Sequence, residues 1–395
     1  MSDPVVRLAA RGDGVTAAGV FLARTAPGDM LEADGTITAG PHRQTPPCRH
    51  FGACGGCQLQ HVDDAAYGDF VTERIASIFA SQGMALPDLR APHLSPAGTR
   101  RRVALKAVKQ GKRVILGFNE GASHTLIDLA ECPVMHPKLC ALFAPLRVQL
   151  GQLMRDRRPA EVRMTLADQG VDLLISGVEV EGLAATEALT DFGARYGLAR
   201  LSIDEGYGPS PRYEPEKVTV SFGGILVELP DGAFLQATAD AEAVLASAVL
   251  ECVGTSRETL DLFAGLGTFA LSLPGKIHAV EGARGAIVAL QSAANRSQRA
   301  VASEHRDLFR RPLMTAELAR FDAVVLDPPR AGAKEQVAEL AASTVPRIAY
   351  VSCNPATFSR DAKMLTDGGY TLNWVQPVGQ FRWSTHVELA AFFTR

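Results

Sequence analysis

The stretch Leu260-Asp261-Leu262-Phe263-Ala264-Gly265-Leu266-Gly267-Thr268-Phe269-Ala270 decides the fold of this chain. It follows an apolar run that is typical of a buried strand, and Gly265 and Gly267 would let the backbone approach a ligand closely. We expect a helix to open directly after it, with Ala270 packed against the strand. A tight turn without any ligand would produce a similar pattern, so the surrounding sequence has to decide.

An acidic residue favours a ligand at this loop. Glu281 ends the next predicted strand, 20 residues after Asp261. A carboxylate at that place can accept hydrogen bonds from both ribose hydroxyls of an adenosyl ligand. Two such ligands compete, a nicotinamide dinucleotide and S-adenosylmethionine.

Strand and helix patterns alternate regularly after residue 231. The predicted elements are a helix over 237–253, strands ending at Asp261 and Glu281, a helix to about residue 299, strands over 323–327 and 347–352 with a helix between them, and closing strands over 370–378 and 387–393. Repeated units of this kind form a parallel, doubly wound sheet of the α/β class. The closing pair predicts a terminal β-hairpin, which is usual in S-adenosylmethionine-dependent methyltransferases, so that ligand is favoured.

A carboxylate marks the end of the predicted strand 323–327, in the sequence Asp327-Pro328-Pro329-Arg330. A side chain at the carboxyl edge of a parallel strand faces the ligand crevice, and the prolines stiffen its loop. Asp327 is therefore predicted to lie at the methyl-donor site. Asp-Pro-Pro sequences also occur in N6-adenine methyltransferases, but those enzymes need an aromatic residue where Arg330 stands.

Val351-Ser352-Cys353-Asn354-Pro355 ends the next predicted strand at the same edge. A cysteine that ends a buried strand is often only a small core residue. The neighbouring Asp-Pro-Pro loop favours a nucleophile instead. Methylation of C5 of uracil needs such a thiol, because thiolate addition at C6 makes C5 nucleophilic.

That reaction also needs a base to remove the C5 proton, and Glu388 is the candidate. It stands in His386-Val387-Glu388, before the apolar run 389–393. Burial there would raise the pKa of its carboxyl group into a range that suits proton abstraction. The alternative is a solvated strand residue.

A cysteine-rich segment predicts an inorganic group. Cys48, Cys54 and Cys57 have the spacing C-x5-C-x2-C, and Cys132, which precedes a proline, is the best candidate for a fourth ligand. A Cys-Pro pair recurs at the last ligand of ferredoxin-type clusters. Zinc sites more often use two matched Cys-x-x-Cys pairs, so an iron–sulfur cluster is favoured.

Composition limits the remaining possibilities. The 395 residues carry 40 Lys and Arg against 43 Asp and Glu, a net charge of −3, so the chain is not basic overall. Local basic runs could still bind phosphates or form solvated faces. They comprise Arg100, Arg101, Arg102, Lys106, Lys109, Lys112 and Arg113, and then Arg155, Arg157 and Arg158.

The predicted environment of the chain is the cytoplasm. We find no apolar run of the roughly 18 residues that a membrane span requires, and residues 1–13 lack the core of a signal peptide. Cytoplasmic thiols stay reduced, which argues against disulfides among the seven cysteines. Cys140 and Cys252 lie in apolar helical patterns and are predicted to be core residues.

Three domains are predicted. Residues 1–40 form short strands broken by glycine, too few for a complete barrel. Residues 41–230 carry the cysteine segment followed by strands and helices, which predict an α/β domain. Residues 231–395 form the doubly wound domain.

Together these motifs resemble the RNA (uracil-5-)-methyltransferase family, specifically its branch that carries a [4Fe-4S] cluster and modifies 23S ribosomal RNA. The matching segments are 48–61, 232–236, 261–269, 327–332, 352–355 and 386–388.

The resemblance implies a class I (Rossmann-like) methyltransferase domain that uses S-adenosyl-L-methionine and acts on RNA as a monomer. It makes Cys353 the nucleophile and Glu388 the base. The residues expected at the methyl-donor site are Gln236, Phe263, Gly265, Glu281, Asp307 and Asp327. Those expected to hold the cluster are Cys48, Cys54, Cys57 and Cys132. The N-terminal unit resembles a shortened TRAM domain, an OB-like RNA-binding barrel.

Two alternatives remain open. The first is a tRNA uracil-5-methyltransferase. The second is a non-catalytic ribosome-assembly factor that binds ribosomal RNA, but such a protein would not need both Cys353 and Glu388.

Overall fold

Three sheets and one separate hairpin make up the computed structural model, which describes residues 2–121 and 123–395. The first sheet contains five short antiparallel strands in the order β3-β2-β1-β4-β5. They are β1 (Asp3–Leu8), β2 (Gly14–Thr16), β3 (Phe21–Leu22), β4 (Met30–Leu31) and β5 (Ile37–Thr38). Buried Asp29 secures this unit, since its carboxylate accepts hydrogen bonds from Arg43 and from the backbone of Ala26 and Gly40.

A helix and two very short strands come next. The strands pair with the large sheet near the C-terminus, and the helix packs against that sheet. They are α1 (Asp64–Ser81), β6 (Asp88–Leu89) and β7 (His93–Leu94). Asp63 is the N-cap residue of this helix, and its side chain accepts a hydrogen bond from the N–H of Ala66.

The central sheet has seven strands in the order β10-β9-β8-β11-β12-β13-β14. Its elements are β8 (Arg102–Gln110), β9 (Arg113–Asn119), β10 (Leu126–Asp128), α2 (Pro137–Cys140), α3 (Phe143–Leu153), β11 (Pro159–Ala167), β12 (Gly170–Ser176), α4 (Gly182–Arg195), β13 (Leu198–Asp204) and β14 (Pro209–Tyr213). Only the pair β12–β13 is parallel, because α4 connects these two strands as a crossover. A separate hairpin follows, formed by β15 (Thr219–Phe222) and β16 (Ile225–Glu228).

The C-terminal sheet has the order β19-β18-β17-β20-β21-β23-β22-β6, and β7 also pairs with β22. Its elements are α5 (Ala239–Val253), β17 (Glu258–Leu262), β18 (Lys276–Glu281), α6 (Arg284–Arg296), β19 (Val301–His305), α7 (Thr315–Leu318), β20 (Ala323–Leu326), α8 (Lys334–Ala342), β21 (Arg347–Ser352), α9 (Pro355–Asp367), β22 (Thr371–Gly379) and β23 (Glu388–Thr394). The strands β17 to β21 are parallel, and β23 runs antiparallel to its neighbours. Helices α5 and α6 pack on one face, and α1, α8 and α9 on the other. The predicted doubly wound, Rossmann-like sheet with a terminal hairpin is confirmed.

The prediction of a helix directly after the glycine loop is wrong. Residues 263–273 form successive turns, held by hydrogen bonds such as Leu271 N–H to the Gly267 carbonyl and Leu273 N–H to the Phe269 carbonyl. Pro274 has no N–H to extend them, and the chain must re-enter the sheet at Lys276. The strands β10, β13, β14 and β19 and the helices α7 and α9 were not predicted.

Residues 41–230, predicted as one central domain, contribute to more than one sheet. β6 pairs with β22 through Asp88 opposite Trp374, and β7 through His93 opposite Val378. Residues 64–94 therefore lie with the C-terminal sheet, because two-residue strands leave no periodic signal in a sequence. Within the described part of the chain, no helix is long and apolar enough to cross a membrane.

Candidate active site

Cys353 and Glu388 lie side by side at the carboxyl edge of the C-terminal sheet. Cys353 directly follows β21, and Glu388 is the first residue of β23. The two strands are antiparallel, with Ser352 paired to Leu389. The residue after β21 is therefore a neighbour of the residue that begins β23, and both line one cavity of about 470 Å³.

The surroundings of these two groups change their proton affinities. Glu388 is 3% exposed, and burial, together with the Asp327 carboxylate, raises its pKa to about 8, while Gln380 and Arg102 act in the opposite direction. Burial, together with the Glu388 and Asp327 carboxylates, raises the pKa of the Cys353 thiol to about 11. Glu388 can accept a proton near neutral pH, whereas Cys353 is a thiol there.

Asn354 joins the turn that carries Cys353 to the Asp-Pro-Pro-Arg loop. Its side chain accepts a hydrogen bond from the N–H of Ala356 at the start of α9, and its amide donates to the Arg330 carbonyl at 2.8 Å. The Thr357 hydroxyl donates to the same carbonyl at 3.2 Å. These hydrogen bonds join the loop that carries Cys353 to the loop that carries Asp327.

Three carboxylates meet at the ends of β17, β18 and β20. Asp261 is fully buried, and within the described residues neither of its oxygens has a hydrogen bond of ordinary geometry. Burial together with Asp327 and Glu281 raises its pKa well above the usual range, while the backbone N–H of Ala270 acts in the opposite direction. Burial and then Glu281 raise the pKa of Asp327 to about 7. Within the described residues, none of the three forms an ion pair. This crevice would be stabilised by a positively charged ligand.

Asp261 was not predicted as a site residue, although it stands in the stretch that decides the fold. The available signal was its place: a carboxylate within the buried strand that leads into a glycine loop faces the same crevice as Asp327.

Glu281 shapes the glycine loop. Its Oε2 atom accepts a hydrogen bond from the N–H of Gly265 at 2.8 Å, and its Oε1 atom accepts one from Ala283 at 2.6 Å. Gly265 has a φ of +55°, and a Cβ atom there would meet nothing within 4 Å. At Gly267, with φ of +92°, a Cβ atom would lie 2.9 Å from Leu290 of α6. Gly267 is therefore required for helix packing, and Gly265 leaves open space.

The structure places the other predicted donor-site residues around this loop. Phe263 has a positive φ of 62°, and its ring centroid lies 5.5 Å from that of Phe309. Asp307, just after β19, accepts hydrogen bonds from the backbone N–H groups of Phe309 and Arg310, so it holds the turn that carries Phe309. Gln236 lies before α5, and its amide donates to the Asp327 Oδ2 atom at 3.4 Å.

Four predicted cysteine ligands, Cys48, Cys54, Cys57 and Cys132, line the same cavity as Cys353. Burial, and beyond it the neighbouring thiols, raises the pKa of Cys57 to about 12. Among the described residues, no three His, Cys, Asp or Glu side chains converge closely enough to hold one metal ion. The two other thiols differ: Cys252 is buried in the core, as predicted, but Cys140 is only partly buried and its Sγ atom donates to the Cys132 carbonyl at 3.5 Å.

The basic residues predicted from the sequence have two kinds of environment. Some line the cavity, and others bond to neighbouring groups of the protein. Arg100 and Arg102 line the cavity, with their guanidinium carbons 5.4 Å from the Phe381 ring centroid and 4.2 Å from that of Phe234. Lys109 instead donates to the carbonyls of Gly151 and Met154 at the end of α3. Arg113 pairs with Asp128 and Arg155 with Glu179. The sequence did not distinguish the two sets, and Phe234 was not predicted at the site.

Fold and site together define a Rossmann-like methyltransferase with a cysteine and a glutamate beside an acidic crevice. Comparison with known proteins agrees: residues 212–395 match the family model described as tRNA (uracil-5-)-methyltransferase. An uncharacterized RNA methyltransferase of Zymomonas mobilis is 51% identical over 99% of both chains. The chain belongs to the RNA (uracil-5-)-methyltransferase family and is an RNA methyltransferase.

Two further matches are a relative with a named substrate and a solved structure. The 23S rRNA (uracil(1939)-C(5))-methyltransferase RlmD of Chromohalobacter salexigens is 33% identical, over 91% of this chain and 78% of that protein. The crystal structure of a tRNA (uracil-54, C5)-methyltransferase of Pyrococcus abyssi, in complex with S-adenosyl-L-homocysteine, superposes with a TM-score of 0.74 over the whole of both chains. At 21% identity, that structure supports the fold alone.

Proposed function

We propose that this protein transfers a methyl group from S-adenosylmethionine to C5 of a uridine in RNA, with Cys353 as nucleophile and Glu388 as base. The observation that carries the proposal is the position of these two groups beside each other, across the register pair Ser352–Leu389, in the cavity that also contains the basic side chains Arg100 and Arg102.

Each residue has one task in the reaction. The Cys353 thiol loses its proton to solvent, and the thiolate adds to C6 of the uracil ring, which makes C5 an enolate carbon that can attack the methyl group. The methyl donor supplies an electrophilic methyl group on a positively charged sulfur and leaves as S-adenosylhomocysteine. Glu388 then takes the proton from C5, the C5–C6 double bond re-forms, and the Cys353 sulfur leaves C6.

The acidic crevice supports this choice of donor. S-adenosylmethionine is positively charged at its sulfonium and its ammonium group, and Asp261, Glu281 and Asp327 would interact favourably with a cation. A nicotinamide dinucleotide carries a pyrophosphate, which three carboxylates would repel. Gln236, Phe263, Gly265 and Asp307 complete the proposed donor site, the last through its hold on Phe309.

We further propose 23S ribosomal RNA as the substrate, on the basis of the 33% identity to RlmD. Arg100 and Arg102, each beside an aromatic ring, suit an unpaired nucleotide, because bases stack on such rings and phosphates pair with guanidinium groups. The test is mass mapping of 5-methyluridine in RNA from a strain without the gene. Loss of a modification from 23S rRNA is expected; loss from tRNA would support the tRNA alternative, and no loss would contradict the function.

Finally, we propose that Cys48, Cys54, Cys57 and Cys132 hold a [4Fe-4S] cluster. The four thiols line one wall of the cavity, and Cys48, Cys54 and Cys132 contribute to the raised pKa of Cys57. The glycines between two of them have separate roles: a Cβ atom at Gly55 would lie 3.0 Å from the Asn119 carbonyl oxygen, and one at Gly56 would lie 3.5 Å from Cys54 Sγ. The cluster's proposed task is to order residues 48–57 beside Arg100.

A further inference from the structure

The residues that lead into Glu388 form a loop between β22 and β23, residues 380–387, which we call the base loop. Its side chains that line the cavity include Phe381, Arg382 and His386. Trp383 is buried in this loop and has a φ of +59°, in the left-handed region that residues other than glycine seldom adopt. Such a conformation persists only where surrounding groups hold it.

A buried hydroxyl holds one turn of the base loop. Tyr67 of α1 is fully buried, and its hydroxyl lies 3.2 Å from the Phe381 carbonyl oxygen and 3.4 Å from that of Ser384. The same two residues close the turn, since the N–H of Ser384 donates to the Phe381 carbonyl at 2.9 Å. A buried hydroxyl needs a hydrogen-bond partner, and this turn supplies it. Tyr67 is not among the described residues that line the cavity, so it contacts the base loop from the protein interior.

The first turn of α1 makes a second contact with the base loop. Asp64 forms an ion pair with the guanidinium group of Arg382, whose other terminal nitrogen donates to the Ser95 carbonyl at 3.2 Å. Asp64 and Tyr67 are three positions apart in the helix, so their side chains lie on the same face. One face of a single helical turn therefore binds the base loop at two places.

Residues just after the cysteine segment hold the strained residue of the base loop. The backbone N–H groups of Gln58 and Leu59 both donate to the Trp383 carbonyl at 2.9 Å. The Gln58 side-chain oxygen also accepts a hydrogen bond from the N–H of Thr385 at 3.4 Å. The position of the base loop is thus set by residues that lie far from it in the chain.

We propose that Tyr67 is a positioning residue for proton removal, because its hydroxyl holds the base loop so that Glu388 keeps its place beside Cys353. This inference rests on the proposed function. The nucleophile is attached differently, since Asn354 joins its turn to the Arg330 carbonyl. A displaced base loop should therefore impair removal of the C5 proton more than addition of Cys353 to C6.

The test is a single-turnover measurement with the full-length protein, S-adenosylmethionine labelled in its methyl group, and total RNA from the strain without the gene. Denaturing gels separate the labelled covalent adduct from labelled free RNA, so adduct formation and release are timed separately. Tyr67→Phe removes only the buried hydroxyl. We expect release to slow about tenfold while adduct formation stays within about twofold of the wild-type rate, since a small misplacement of a catalytic group has a large effect on its step.

Two further variants separate positioning from loss of structure. Asp64→Asn removes the charge that pairs with Arg382, at an exposed site where folding is not at risk, and should slow release by a smaller factor. Tyr370→Phe is the matched control, because the buried Tyr370 hydroxyl donates to the Val345 carbonyl at 2.7 Å, outside the base loop. It should leave the ratio of release to adduct formation unchanged.

This ratio decides the outcome. A ratio that falls in Tyr67→Phe and in Asp64→Asn, but not in Tyr370→Phe, supports the inference. An unchanged ratio in Tyr67→Phe, which includes equal slowing of both steps, or an equal fall in Tyr370→Phe would overturn it. Absence of both adduct and 5-methyluridine with the wild-type protein would instead overturn the proposed function.

Discussion

Cys353 stands beside Glu388 because β21 ends where β23 begins, with Ser352 paired to Leu389 between antiparallel strands. The two residues are 35 positions apart in the chain, and they meet only because the terminal hairpin returns to the edge of the parallel strands. This relationship puts the proposed nucleophile and the proposed base in the same cavity.

Removal of the base should trap the enzyme on its substrate. In Glu388→Gln, Cys353 can still add to C6 and the methyl group can still transfer, but the C5 proton stays. We expect a covalent protein–RNA adduct, visible as a mobility shift on a denaturing gel. Cys353→Ala should form none, and equal adduct yields from the two variants would contradict the assigned roles.

The release step should depend on pH through Glu388. Only the ionised carboxylate accepts the proton, and its pKa is raised to about 8. Release should therefore accelerate about tenfold per pH unit below pH 8 and level off above it. Rapid-quench measurement of adduct decay checks this, and a rate that falls as the pH rises from 6 to 8 would argue against a carboxylate base.

Asp261 should lower the free energy of unfolding of the ligand-free protein and strengthen binding of the donor. Its folded-state pKa is raised above the unfolded value, so without ligand its carboxyl group lowers the free energy of unfolding as the pH rises above the unfolded pKa. Asp261→Asn should stabilise the ligand-free protein at pH 7 by about 1–3 kcal/mol and weaken donor binding. Thermal melting and calorimetric titration with S-adenosylhomocysteine measure the two effects. Lower stability together with unchanged affinity would show that Asp261 is purely structural.

Donor binding should activate the nucleophile. The Cys353 pKa, raised to about 11, includes contributions from Glu388 and Asp327, and a cation in the crevice would counteract both. Alkylation of Cys353, followed by mass spectrometry of its peptide, should begin at lower pH when a cationic, non-reactive donor analogue is present. Neutral adenosine is the control, and the same shift with adenosine would exclude an electrostatic cause.

The four cysteines should bind iron and sulfide. Protein purified without oxygen is expected to be brown, and Cys57→Ser should lose the colour and the iron. Cys140→Ser is the matched control, since Cys140 lies next to Cys132 but outside the proposed ligand set. Stoichiometric zinc without sulfide would refute the cluster.

Strong local patterns were predicted well from the sequence. The parallel strands other than β19, the closing hairpin and the positions of Asp327, Cys353 and Glu388 at strand ends all follow from apolar runs bounded by glycine, proline or polar residues. The missed elements include the two-residue strands β6 and β7, which are too short to show a period, and the longer strands β14 and β19. The helix expected after Gly267 failed because Pro274 and the nearby strand β18 leave no length for it.

By itself, the sequence determined the Rossmann-like sheet, the edge of that sheet at which chemistry can occur and the residue types present there. Tertiary structure alone decided which distant groups meet: the fully buried Asp261 beside Asp327, Gln380 against Gln236, and the cysteine segment on the same cavity as Cys353. The physical reason is that periodicity reports which face of an element is buried, whereas hydrogen bonds and charge repulsion depend on distances between elements that only packing sets.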